Sequence, residues 1–455
     1  MDFGFDTIGN ASVICYDRVP VLVTDPWVRG SAYFGSWSHA HEIPEEQMEA
    51  IEASRFVWFS HGHPDHLNAD SLDLFQDKQI LLPDHVGQRM RRELEEAGFS
   101  IRVLPDRSWI RLSERIRVLC ISDESQNAVL LVDLGGRLLV NLNDSIDRGW
   151  GRFVRRIVGQ FDDSILLALT GYGDADMINI FDEDGSFIEP AAGAKRPIGP
   201  MAAKKTESFG CKRFVPFSCM HNYQRADSAW ANEYATPIAD HHIGFESDRC
   251  EILPAYLRFF GDDGSTVPIN PKATEPRIVD PIEFGDDWSE ELGTDDRATA
   301  TSYFRKIGHL PTFLDYVNLR VGGRDNVISF QSRGFERGIT FEVPRHSLME
   351  AIGFEVFDDL LIGNFMKTTL HGKWSESALY PDFTPFVTKY GDNGRAHSKE
   401  ELREYFTAYA KRAPLEYLHH FLEERATNAV RSMVPHDSDL FLRLKRAYWT
   451  VKRFL

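Results

Sequence analysis

Residues Arg55 to His66 read RFVWFSHGHPDH. A short β-prone stretch runs straight into four side chains that bind metals: His61, His63, Asp65 and His66. A buried strand has no physical reason to end in such a run unless something compensates the polar groups. Two histidines one residue apart at a strand end can place both imidazoles on one divalent ion. Asp65 and His66 then suit a second ion a few ångströms away, because imidazole and carboxylate both bind first-row metals. A polar turn with surface histidines is the bland alternative, and the HxHxDH order argues against it.

Outward from this run, the first 150 residues read as short strands and helices. Ala11–Tyr16 and Val19–Thr24 are apolar and β-rich around an Asp17-Arg18 turn, and Asp25-Pro26-Trp27 ends the second strand. Helices are expected over Glu45–Ser54, Ser71–Phe75 and Gly87–Ala97. Strands are expected over Gln79–Leu82, Ile101–Leu104, Ile116–Ile121, Ala128–Leu134 and Arg137–Leu142, with Gly135-Gly136 as a hairpin turn. Ser164–Thr170 and Lys212–Phe217 follow as strands, separated by Gly193–Lys205, which reads as a mobile loop. The character changes near residue 245, so we expect domains at 1–245 and 246–455. The second has strand-like Asn326–Val343, mixed Leu348–Leu370, and helices over Glu400–Ala410, Ala413–Glu424 and Asp439–Phe454.

HxHxDH after an apolar strand resembles the signature of the metallo-β-lactamase fold superfamily, and IGNASVICYDRVPVLVTDPW resembles its opening hairpin. The resemblance implies an αββα sandwich over about residues 5 to 225, followed here by a mixed α/β extension. It also implies further ligands. Asp144, after LLVNLN, fits the bridging carboxylate, and His221, after KRFVPFSCM, fits the last histidine, in preference to His241-His242. Where many hydrolases of the family have a third histidine on the first metal, this chain has Cys120–Ser125 without one, so Asp123 or, nearly as well, Glu124 is expected there.

A carboxylate in place of an imidazole suits iron, and the resemblance points the same way. PFSCMHNYQRADSAWANEY, residues 216 to 234, together with HGHPDH, is similar to the metallo-β-lactamase-like part of CMP-N-acetylneuraminate hydroxylases. Di-iron β-hydroxylases of this fold are a second comparison. The resemblance implies two iron ions, with zinc or manganese the alternative, dioxygen as co-substrate and a small polar substrate. His61, His63 and Asp123 would hold one ion, and Asp65, His66 and His221 the other, with Asp144 bridging and Asp65 and Asp144 the catalytic carboxylates. This chain has no CxH…CxxH pair, so electrons are expected from a separate ferredoxin or Rieske protein. The alternative is a dinuclear hydrolase of an ester, amide or phosphodiester. Tyr223, Arg225 and Trp230 follow His221 closely enough to line a substrate pocket, or equally to pack at a domain junction. Lys195, Arg196, Lys204 and Lys205 are a basic set that could grip an anion or remain a surface loop. Trp27, Tyr33, Phe34 and Trp37 could form a lid or core.

The net charge of −18 argues against nucleic acid or anionic lipid as a partner. Five scattered cysteines make no disulfide framework, and neither a secretory signal nor a membrane span is visible. A reduced cytoplasm is the expected setting.

Overall fold

The computed structural model describes residues 1–171, 177–218, 220–330, 336–374, 379–380, 382–391, 394 and 396–433. Alternation along the strands decides the architecture. In Ala128–Leu134 every residue is buried. Ala128, Leu130, Val132 and Leu134 enter one apolar cluster, and Val129 and Leu131 another. Phe56 and Trp58 join the first of these, while Val57 and Phe59 turn to a third cluster. Each strand thus has two buried faces, which requires a partner layer on both sides.

The shared cluster lies between an eight-stranded and a seven-stranded sheet. The outer face of the first is covered by helices Glu45–Ala53 and Arg89–Glu96, through Ala50, Ile51, Met90 and Leu94. The outer face of the second is covered by Gly151–Val158 and Gly199–Phe209, through Val154, Ile157, Ala202 and Phe209. The result is the expected αββα sandwich, in which each fully buried aliphatic side chain contributes roughly 1.5–3 kcal/mol.

Most expected strands form within a residue or two of their bounds. The hairpin Ala128–Leu134 to Arg137–Asn143 turns through Gly135 (φ 57°) and Gly136 (φ 98°), the conformation that Gly-Gly permits. Ser71–Phe75 lies within a 3₁₀ helix, Ala69–Phe75. The expected loop Gly193–Lys205 needs correction. Its second half begins the helix Gly199–Phe209, with Pro200 in the first turn, where a proline needs no N–H donor, and Gly210 at the C-cap with φ 76°.

Beyond residue 245 the chain first returns to the sandwich. Glu251–Ile252 pairs with Arg213–Phe217, Leu257–Phe260 pairs with Phe3–Gly9, and Thr266–Pro268 closes that edge. A third sheet has the order Ile180–Phe181, Lys367–His371, Gly338–Glu342, Tyr316–Val321, Arg324–Ser329. Helices Thr294–Lys306, Arg345–Phe354, Phe357–Ile362, Thr384–Tyr390 and Lys399–Arg412 pack on it around a separate core. The expected helix Asp439–Phe454 lies outside the described residues. Among the described residues no helix is long and apolar enough to cross a membrane.

Candidate metal centre

The strand Phe56–Trp58 delivers Ser60 to a hub behind the histidines. The Ser60 N–H donates to Asp25 Oδ1 at 2.7 Å, and its Oγ lies 2.9 Å from His61 Nδ1 and 3.3 Å from His66 Nδ1. Asp25 Oδ2 stands 3.1 Å from the same His66 nitrogen. The rear nitrogens of His61 and His66 are therefore held from behind, which leaves Nε2 of each to face forward. The turn that follows closes on itself, with the N–H groups of His66 and Leu67 both donating to the His63 carbonyl.

The forward atoms converge. His61 Nε2 is 3.0 Å from His63 Nδ1, His66 Nε2 is 3.1 Å from Asp144 Oδ2, and Asp65 Oδ2 is 3.4 Å from His66 Nε2. Two overlapping groups result, His61-His63-Asp144 and Asp65-His66-Asp144, each with ligand atoms mutually within 4.8 Å. Asp144 belongs to both. It is delivered by the end of Arg137–Asn143, where Asn143 turns the chain at φ 38° and its Oδ1 accepts from the Asp144 N–H at 2.6 Å.

Asp65 is gripped on both oxygens: Tyr33 Oη donates to Oδ1 at 2.6 Å, and Asn10 Nδ2 donates to Oδ2 at 3.0 Å. Tyr33 and Phe34 both take left-handed backbone angles, φ 52° and 56°, a cost of about 1–3 kcal/mol each that the buried turn sustains. Trp27, Tyr33 and Trp37 are core residues rather than a lid, and the hydrogen bond from the Tyr33 hydroxyl to Asp65 is a contact the sequence reading missed.

His221 pairs with His39 in a two-stranded ribbon and stacks on Trp37, ring centroids 3.4 Å apart and 5° from parallel. It belongs to neither forward group, although Asp65 acts on it electrostatically. Tyr223 packs edge-on against both rings, and its hydroxyl accepts from Asn364 Nδ2 at 3.0 Å. Arg225 is fully buried, and its guanidinium is held by Asp227, Asp286 and the Phe34 carbonyl, so its place is structural. Trp230 Nε1 donates to the Asp227 carbonyl, and its ring packs against Phe187 and Tyr234.

The structure does not bring Asp123 to this cluster. Its Oδ1 accepts from the Ser125 N–H and hydroxyl and its Oδ2 from Trp150 Nε1 at 3.1 Å. Glu124 turns toward the helix Pro414–Met433, 3.8 Å from His420, and burial and Asp123 push its carboxyl up to about 7 against Arg148 and Lys389. What does reach the histidines was not foreseen. Asp358 Oδ2, from the helix Phe357–Ile362, lies 3.2 Å from His63 Nε2, and Asp359 completes a group with the same ring. Of the basic set, Lys205 is half-buried on its helix, with Nζ 3.5 Å from the Leu169 carbonyl.

Charge explains the protonation pattern. Burial and the neighbouring imidazoles hold His61 well below the usual histidine range, so it is a neutral donor. Burial works against a charged His66, but Asp65, Asp144 and Asp25 overcome it and raise that imidazole well above its usual value. Burial pushes His221 down to about 3. Among the described residues no lysine or arginine forms an ion pair with Asp25, Asp65, Asp144 or Asp358. Among the described residues, one buried oxygen each of Asp144 and Asp358 and both nitrogens of His221 have no hydrogen-bond partner. Three buried carboxylates that share one charged imidazole, beside imidazoles held neutral, are what a pair of divalent ions would compensate, so the residues fit a dinuclear metal site.

No family model matches the chain. Over 141 residues it is 26% identical to cytidine monophosphate-N-acetylneuraminic acid hydroxylase of Asterias rubens, a match that covers 29% of this chain and 22% of that protein. The corresponding Danio rerio hydroxylase is 28% identical over 140 residues, 29% of this chain and 24% of its own. The chain thus spans under a quarter of the length of these relatives. Among solved structures, CmlA, a diiron β-hydroxylase from Streptomyces venezuelae, aligns at 14% identity and TM-score 0.39, over 58% of this chain and 54% of its own. The chain is similar to metallo-β-lactamase fold enzymes, some named as hydroxylases and some as hydrolases.

Proposed function

We propose that this chain is a non-heme di-iron oxygenase, a hydroxylase or N-oxygenase of a small polar substrate. In this reading His61 and His63 hold one ion, Asp65, His66 and His221 the other, and Asp144 is shared between them. The observation that carries it is the donor set: three imidazoles converge on Asp144 with Asp65 beside them, and further carboxylates stand behind. Asp25 and Asp358 behind the rings add negative charge around the ligands, which favours oxidised iron and weakens the Lewis acidity a zinc hydrolase depends on. The similarity to hydroxylases of a nucleotide sugar acid supports both the reaction class and the polar substrate.

Bound there, iron would supply the activation of dioxygen, with electrons from a separate ferredoxin or Rieske protein. The chain's own residues set the geometry. Ser60 and Asp25 fix which nitrogens of His61 and His66 face forward, and Tyr33 and Asn10 fix the angle of Asp65. The stacked Trp37 face keeps the His221 ring in one plane and excludes water from that side.

The test is metal analysis of protein purified without added metal, with its visible spectrum before and after reduction and exposure to air. About two irons per chain and a spectrum that responds to reduction and air are expected. Zinc in both places and a silent spectrum would overturn the reading in favour of a dinuclear hydrolase.

A further inference from the structure

The rear nitrogens of His61 and His66 meet Ser60 and Asp25 of the sandwich, whereas that of His63 meets a carboxylate from the third-sheet region. Its Nδ1 faces His61 Nε2 at 3.0 Å, in the forward group, so its Nε2 points back, and there it meets Asp358 Oδ2 at 3.2 Å. Asp358 is only 2% exposed and Asp359 beside it 7%, so two consecutive carboxylates are buried against one ring. Asp358 Oδ1 is also buried and has no hydrogen-bond partner among the described residues. Such a placement is costly unless the ring keeps a proton on Nε2 and donates it to the carboxylate while Nδ1 binds a cation. Carboxylates behind metal-bound imidazoles act in this way, fixing the tautomer and raising ligand basicity.

We propose that Asp358 is the positioning carboxylate of His63, so that the region built on the third sheet is a working part of the metal centre and not only a cover. The inference rests on the metal-centre reading above and deepens it. The same helix is tied to the site's surroundings at its far end, where the Gly363 carbonyl accepts from Ser36 Oγ at 2.6 Å and Asn364 donates to Tyr223 Oη. The backing group therefore arrives with the third-sheet region already docked.

The experiment uses the full chain with Co²⁺ as the probe, in competition with a chromophoric chelator, and follows the visible Co²⁺ bands. Asp358→Ala is expected to weaken the ion at His61–His63 by about 10–100-fold and to shift those bands. Asp358→Asn keeps the volume and decides the matter if the alanine variant does not fold. It should also shift the bands, with metal-free circular dichroism unchanged. Wild-type affinity and wild-type bands in Asp358→Asn would overturn the proposal, as would lowered metal-free stability with unaltered bands, the mark of a packing residue. If the wild-type chain takes up no Co²⁺, the metal-centre reading itself fails and this one with it; uptake by wild type separates the two failures.

Discussion

His66 and His63 belong to one six-residue run, and each has a carboxylate at its rear nitrogen, yet the two supports come from different parts of the molecule. Asp25 backs His66 from a neighbouring strand of the same sheet; both residues are fully buried, and Ser60 ties them together. Asp358 backs His63 from 295 residues away, across the junction with the third-sheet region, and its second oxygen has no partner among the described residues. The first support is part of folding the sandwich. The second exists only once two regions have docked. One carboxylate should therefore matter most to stability and the other to metal binding.

The largest effect follows from Asp25. In metal-free protein His66 is held charged, and Asp25 also takes the Ser60 N–H at 2.7 Å. Burial raises the Asp25 carboxyl against the pull of His66, yet Asp25→Ala leaves both the buried His66 ring and the Ser60 N–H without this partner and is expected to cost about 3–5 kcal/mol in urea unfolding of the metal-free chain. Asp358→Asn, measured in the same way, should change little. Equal losses in the two variants would erase the distinction between them. Next in size is Tyr33→Phe, which leaves the core packing intact and removes the 2.6 Å hydrogen bond to Asp65 Oδ1. Asn10 still holds the other oxygen, so metal affinity should fall by about tenfold, the low end for such supports. Chelator competition showing no change would mean that the strained turn at Tyr33 serves packing alone.

The same contrast explains what the sequence could tell. His61, His63, Asp65 and His66 are legible because four ligand side chains in six residues, after an apolar strand, have no other economical reading. Asp144 is legible because a Gly-Gly hairpin fixes the register of the strand that ends in it. Asp358 sits in an ordinary amphiphilic segment, and only tertiary docking brings it to His63. Asp123 shows the reverse: expected from its place along the chain, it lies outside the ligand groups found among the described residues, its oxygens accepting from Ser125 and Trp150. The helix Gly199–Phe209 was hidden because Gly-Pro marks a turn as readily as the first turn of a helix. Tyr33 reads as one more aromatic in a lid or a core, since nothing local shows where its hydroxyl ends.

The smallest expected effect tests Lys205, whose ammonium feels the charge of Asp144 without an ion pair to it. Burial lowers the Lys205 ammonium to about 8, against the opposing pull of Asp144, so the side chain is charged at pH 7 and mostly neutral at pH 9. A charged lysine in this neighbourhood opposes the arrival of a further cation at Asp144. Lys205→Met should therefore bind metal a few-fold more tightly than wild type at pH 7, a gain on the order of 1 kcal/mol or less. At pH 9 the ratio of the two affinities should return to about one, because deprotonation has already removed the competing charge. Other protons released on metal binding affect both proteins alike and cancel in the ratio. A ratio that stays constant from pH 7 to pH 9 would show that Lys205 acts through packing. A variant that binds metal normally but needs far more substrate would instead place the ammonium on an anionic group of the substrate.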